Sequence, residues 1–94
     1  MLDPLIHAPA RLAIMTRLYV VESADATWLL AETGLTWGNL SSHMTKLEQV
    51  GFIQVAKEFV ANKPKTLLRL TAAGRAAFEE YRATIHAMLH MEAD

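Results

Sequence analysis

No cysteine occurs among the 94 residues. That excludes disulfides, thiolate metal centres and thiol redox switching together, and it fits a reducing cytoplasm. No stretch approaches the ~18 consecutive apolar residues that a membrane-spanning helix needs. The opening MLDPLIHAPARL lacks a basic segment followed by a long apolar run, so no secretory leader is read and a cytoplasmic location is expected. An excess of one charge is missing too: the formal net charge is −1, which advertises neither nucleic acid nor a lipid surface. There is no internal repeat, no low-complexity tract, no Gly-rich phosphate loop, no nucleophile beside a plausible base and no acid pair. Neither an enzyme nor a cofactor is therefore expected.

What is present is apolar: 52% of the residues, enough for one real core. A domain this small buries a modest share of its surface, so a partner subunit would help it.

The pattern along the chain reads as mainly α with a small β-hairpin. A first helix is expected from about Pro9 to Val21, with Pro9 in its first turn, where a missing N–H costs little. Leu12, Ile14, Met15, Leu18, Tyr19 and Val21 leave it little polar surface, so it is expected to be largely buried. ESADA is a connection. A second helix, roughly Thr27 to Thr33, ends at Gly34, and Trp28 is expected in the core between helices. Thr36 caps a third helix that continues to about Val50 and stops at Gly51. FIQVAKEF and KTLLRL alternate as two strands, with turn residues Asn62 and Pro64 between them. Thr71 caps a last helix that runs to about Glu92 and carries Phe78, Tyr81, Ile85, Met88 and Leu89 as one stripe, with Gly74 in line above it.

The third helix has an unusual outer side. At 100° per residue Leu40, Met44 and Leu47 fall together, and Gly38, Ser41, Ser42, Thr45 and Gln49 fall opposite, flanked by Asn39 and Lys46. The turn TGLT before it is the short Gly-containing link of a helix-turn-helix, whose second helix enters the DNA major groove. A helix lying in a groove needs small polar side chains that reach base edges or phosphates. Charge is also distributed unevenly. From Lys46 to Arg69 there are five basic and two acidic residues, a balance of +3; the rest of the chain carries four basic and eight acidic groups, a balance of −4. The basic half lies where phosphate contact would be made.

The segments HAPARLAI, GLTWGNLSSHMTKLEQVGF, KEF with KPKT, and LTAAGRAAF, in this order, resemble the winged helix-turn-helix regulators of the MarR/ArsR type, in their compact single-domain branch. The resemblance covers nearly the whole chain. It implies a single domain over residues 1–94 with a three-helix core, a two-stranded wing and, over 72–92, a C-terminal dimerisation helix. It also implies a homodimer whose partner is double-stranded DNA. The family's recognition positions map onto Gly38, Asn39, Ser41, Ser42, His43, Thr45 and Lys46, and its wing onto Lys57 to Arg69, with Lys57, Lys63, Lys65, Thr66 and Arg69 as contacts.

Several residues carry two readings. His43 lies at the margin of the apolar stripe, either a packed or N–H-donating histidine or one that reads a base. Trp37 is either core margin or a partly exposed contact. His86 and His90, four apart, share one side of the last helix, but with no cysteine and only Glu79 and Glu92 nearby a metal site is not expected. Counted to Glu92, the last helix would run ~32 Å, longer than a compact core of this size requires. Its stripe of Tyr81, Ile85, Met88 and Leu89 is therefore expected to meet a second copy, with Leu5 and Ile6 contributing. Two further readings stay open: a winged-helix protein-interaction module that has lost DNA binding, motivated by the acidic overall balance and Trp37, and a sensor for an unidentified small-molecule effector, with a pocket at the dimer interface, between the dimer helices and the domain body, lined by Tyr19, Trp28, Phe78 and Tyr81.

Overall fold

A computed structural model of the chain describes residues 2–93. The elements follow in the order α1 (Pro9–Val21), β1 (Ser23–Asp25), α2 (Ala26–Thr33), α3 (Trp37–Gln49), β2 (Ile53–Val60), β3 (Lys63–Leu70) and α4 (Ala72–Ala93). The helices fall where the apolar periodicity puts them. The sheet differs: it has three antiparallel strands in the order β1-β3-β2. The expected connection ESADA contains the third strand, registered Ser23↔Arg69, Ala24↔Leu68 and Asp25↔Leu67. Three residues are too few to show an alternation, and what makes them a strand is the open edge of β3 beside them.

Local chemistry sets each boundary. Asp25 ends β1 and also caps α2, its Oδ1 accepting from the Trp28 N–H at 2.8 Å. Gly34, at φ 71°, closes α2 in the left-handed conformation, its N–H donating to the Leu30 carbonyl. The Thr36 hydroxyl caps α3 by accepting from the Asn39 N–H at 3.2 Å. At the far end of α3 the Phe52 N–H donates to the Leu47 carbonyl and the Gly51 N–H to the Glu48 carbonyl, each at 3.0 Å. With Gly51 at φ 82° this is a Schellman stop, which a side chain bearing a Cβ would strain.

The core joins the inner stripe of α3 (Leu40, Met44, Leu47) to Ile14, Met15 and Leu18 of α1, Leu29 of α2, and Ile53, Leu68 and Leu70 of the sheet. Phe78 and Tyr81 of α4 close one end of it, and Ile6 is fully enclosed. Two expectations about burial fail. α1 is buried along one side only, with Val20 and Val21 at its end exposed. Trp28 is 37% exposed, because the fully buried Leu29 takes the inward side of α2 and the indole is left at its rim.

The second strand of the wing is longer than expected, since β3 begins at Lys63 rather than Lys65. The wing turn is only Ala61–Asn62, both at positive φ, the pattern of a type I′ hairpin, which matches the natural twist of the strands. Pro64 therefore lies within β3, opposite Phe59. Wing and α4 project from the body, giving extents of 57 × 25 × 20 Å and a radius of gyration of 14.4 Å. A globular domain of this length would measure ~12–13 Å.

Gly74 yields a prediction of unusual sign. It sits in the first turns of α4, and a Cβ there would collide with the Phe52 carbonyl oxygen and lie 2.9 Å from Leu70 Cδ1. Helix propensity alone favours Gly→Ala by up to ~1 kcal/mol. Gly74→Ala is expected instead to destabilise by about 1–3 kcal/mol through overpacking against backbone, seen as a lower thermal midpoint.

Candidate nucleic-acid interface

α2, the three-residue turn Gly34–Leu35–Thr36 and α3 form a helix-turn-helix, held by Leu29 and Leu40 in the shared core. Because Leu40, Met44 and Leu47 anchor one side of α3, the opposite side is bare. Gly38, Asn39, Ser42, Thr45 and Lys46 are exposed, and Ser41 is half-buried. The Thr45 hydroxyl donates back to the Ser41 carbonyl at 3.0 Å, leaving its lone pairs as acceptors. Glu48, the acidic residue on this helix, turns away to the wing root, where a carboxylate oxygen accepts from the Val55 N–H at 3.2 Å. The exposed face is thus almost free of negative charge.

His43 is partly packed, and one of its ring nitrogens accepts rather than donates. It is half-buried, and its Nδ1 stands 3.3 Å from Nη1 of Arg11 on α1. A guanidinium only donates, so Nδ1 is the acceptor and the remaining proton resides on Nε2. Arg11 in turn donates from Nε to the Leu5 carbonyl. The N-terminal segment, α1 and the recognition helix are thereby linked through polar atoms. Arg11 escaped the sequence reading because 32 positions separate it from His43 and no periodicity connects them.

The register of the wing divides the expected contacts between two faces. Residues directly opposite share a face, so Lys57 and Phe59 lie with Thr66 and Pro64, continuous with the core face of Ile53, Val55, Leu68 and Leu70. The other face carries Glu58, Lys63, Lys65 and Arg69. Lys65 Nζ lies 3.9 Å from Asp25 Oδ2, a partly exposed pair that adds little stability but offsets one wing charge. Arg69 does not join the tip. Six residues of strand, ~20 Å, separate it from Lys63, and it lines a cleft at the root of α4 with Glu22, Thr71 and Arg75. The tip itself presents Phe59, 80% exposed, which the sequence reading had only as part of an alternating run. Trp37, the first residue of α3, is 52% exposed, so it lies outside the core margin.

The residues expected at a subunit contact divide as well. Ile6 is fully buried and Tyr81 nearly so, inside their own protomer, and the Tyr81 hydroxyl lies 2.8 Å from His7 Nδ1. Both belong to this core and are not available to a partner. Leu5 and Ile85 are half-buried, while Met88 and Leu89 are exposed. Phe78 packs between Tyr19, tilted at 40° with centroids 4.9 Å apart, and Tyr81, near-parallel at 6.4 Å, and Arg75 and Arg82 cover Tyr19. Trp28 instead lines an open groove of about 330 Å³ between α1 and α2, with Val20, Val21, Arg17 and Glu32. The His86 and His90 rings lie with centroids 4.1 Å apart, tilted by 53°, and among the described residues no three metal-capable side chains converge.

Burial holds the His43 pKa below its usual value of 6.5, and the positive charges of Arg11 and Lys46 push it the same way. The folded state therefore binds fewer protons than the unfolded chain. Its contribution is complete above about pH 6.5 and is lost as pH falls through that value and then through the lower folded one. Stability of the wild-type chain should decline on acidification from neutral pH into the range of about 5 more steeply than that of His43→Gln. Parallel denaturant titrations of the two proteins across that range measure the difference.

Residues 10–89 match the family described as winged helix DNA-binding domain. An uncharacterized protein of Methanocaldococcus jannaschii is 34% identical over 77 residues, which is 82% of this chain and 84% of that protein. A transcriptional regulator homologue from Pyrococcus horikoshii superposes with a TM-score of 0.86 at 28% identity, over 92% of this chain and 85% of its own. AbfR, solved bound to DNA, shares the fold alone: its TM-score is 0.61 at 17% identity, over 87% of this chain and 66% of its own. With a helix-turn-helix whose second helix is bared on its polar side, a three-stranded sheet with a projecting wing, and a match spanning most of its length, the chain belongs to the winged helix DNA-binding domain family.

Proposed function

We propose that the chain is a sequence-specific transcriptional regulator that binds double-stranded DNA as a cytoplasmic homodimer. In this reading α3 enters the major groove and the wing grips the backbone or minor groove. The observation that carries it is the bare, uncharged-to-basic side of α3, from Gly38 to Lys46, standing beside a lysine-bearing ribbon. Asn39 and Ser42 are the exposed groups able to address base edges, and His43 Nε2–H is a donor of fixed tautomer. Lys46, Lys57 and Lys63 supply phosphate neutralisation. Lys65 contributes less, since Asp25 already faces it.

The dimer is supported by the distal part of α4. Ile85, Met88 and Leu89 continue past the body that covers Phe78 and Tyr81, and Leu89 is 68% exposed. A two-fold axis along this stripe covers it and places two recognition helices for half-sites about one turn, ~34 Å, apart. The interaction-module reading predicts the opposite solution behaviour: a protein partner and a flat DNA titration.

Selection of duplexes from a random pool tests the proposal. The bound fraction should contain two related half-sites, and affinity should fall steeply with salt; no binding to any duplex at low salt rejects it. Lys57→Ala or Lys63→Ala should weaken binding to every sequence and flatten the logarithmic salt slope by about one unit each. Asn39→Ala or Ser42→Ala should relax preference at one base position by about 1–3 kcal/mol and leave the slope unchanged.

Leu89→Lys should shift the chain to monomer in sedimentation at unchanged helical content. Retention of the wild-type mass would remove α4 from the interface.

A further inference from the structure

Phe59 is out of keeping with a solvated loop. At 80% exposure it is the barest large apolar side chain among the described residues, and it stands one position from the end of β2. Its cross-strand partner is Pro64, and the pair forms an apolar tip on the wing face that also carries Lys57 and Thr66. The ring adds nothing to the core, which ends at Val55 and Leu68 on this face. Lys63 and Lys65 occupy the reverse face of the same tip. With Glu58 also on that face, the tip carries three lysines to one acidic residue, and such a tip is a poor protein contact because lysine is depleted from the cores of protein interfaces. It suits a narrow groove walled by phosphates.

We propose that Phe59, stiffened by Pro64, is a wedge that inserts between adjacent base pairs from the minor groove when the wing docks. This deepens the DNA-binding reading given above and rests on it. The two strands of the ribbon stand ~4.8 Å apart, and the minor groove is ~6 Å wide. The side chains need more room than that leaves. Partial unstacking by an apolar wedge supplies it, since such insertion opens the minor groove and bends the duplex toward the major groove. The two-residue I′ turn and the proline limit the motion of the tip, so the ring arrives with little entropy left to lose. The wedge makes no base-specific hydrogen bond and still selects sequence. Pyrimidine–purine steps such as TA and CA/TG unstack most readily, so one of them belongs at the wing position of the site.

The experiment uses the full chain and a duplex selected by it from a random pool, labelled at both ends for energy transfer and carrying a fluorescent adenine analogue at the wing step. Wild-type protein should shorten the end-to-end distance and brighten the analogue. Phe59→Ala should keep the wild-type melting temperature and salt slope, lose both signals and weaken binding on the order of tenfold. Phe59→Leu should retain the bend, since leucine also serves as a wedge. Identical bend and analogue signals in wild type and Phe59→Ala overturn the proposal, and so does wild-type binding to DNA that stays straight. An unaltered bend combined with loss of a DNA-free oligomer in Phe59→Ala assigns the ring to a protein contact and overturns it too. Binding without bending defeats the wedge alone, whereas failure to bind any duplex defeats the DNA-binding reading with it.

Discussion

The geometry of this protein hangs on the junction where α3 stops and α4 starts. The Gly51 and Phe52 carbonyls accept from the Thr71 hydroxyl at 2.6 Å and from the Thr71 N–H at 3.1 Å. The same hydroxyl accepts from the Gly74 N–H at 3.0 Å. Gly74 has no side chain, so α4 closes directly onto the Phe52 carbonyl. One threonine thus ties the end of the recognition helix, the root of the wing and the first turn of the last helix. These backbone groups are otherwise orphaned at helix ends, so satisfying them and orienting three elements are one event. A rigid frame of this kind is what a DNA reader requires, since base contacts tolerate little positional error.

A second constraint concerns charge. The recognition helix contains one acidic residue, Glu48, and its carboxylate is held by the Val55 N–H at the wing root. Asp25 faces Lys65 while capping α2, and Glu22 pairs with Arg75 at 3.0 Å. Of the acidic groups near the basic half, Glu48, Asp25 and Glu22 are held within the protein and Glu58 stays exposed opposite Lys65, while Lys46, Lys57 and Lys63 remain exposed. Each exposed ion pair is weak in itself. Their collective effect is to keep a near-neutral molecule locally positive where a phosphate backbone would lie.

Much of this was legible before any coordinates. Pro9, Gly34, Thr36, Gly51 and Thr71 mark helix ends by backbone chemistry that acts within a few residues, and the Leu40–Met44–Leu47 stripe orients α3 by spacing alone. The winged-helix resemblance rested on the same local signals taken in order, and the family match bears it out. Three features escaped. β1 is a strand only because β3 offers an edge to it. Trp28 reads as core by composition, but burial depends on which side the neighbouring helix covers. Tyr81 reads as subunit surface by its stripe and Ile6 as a contributor beside it, yet the N-terminal segment folds back onto α4 and both are buried within the protomer.

Residue order therefore settled the number and limits of the helices, the polar side of α3 and the presence of a hairpin, because each depends on contacts within a turn or a ladder step. Only the packed chain decided that Arg11 sets the tautomer of His43, that Lys57 and Lys63 stand on opposite faces of the wing, that Arg69 lies at its root, and that Phe59 is left bare at its tip. Those facts depend on register and on elements distant along the chain meeting in space, and periodicity carries no information about which distant surface arrives.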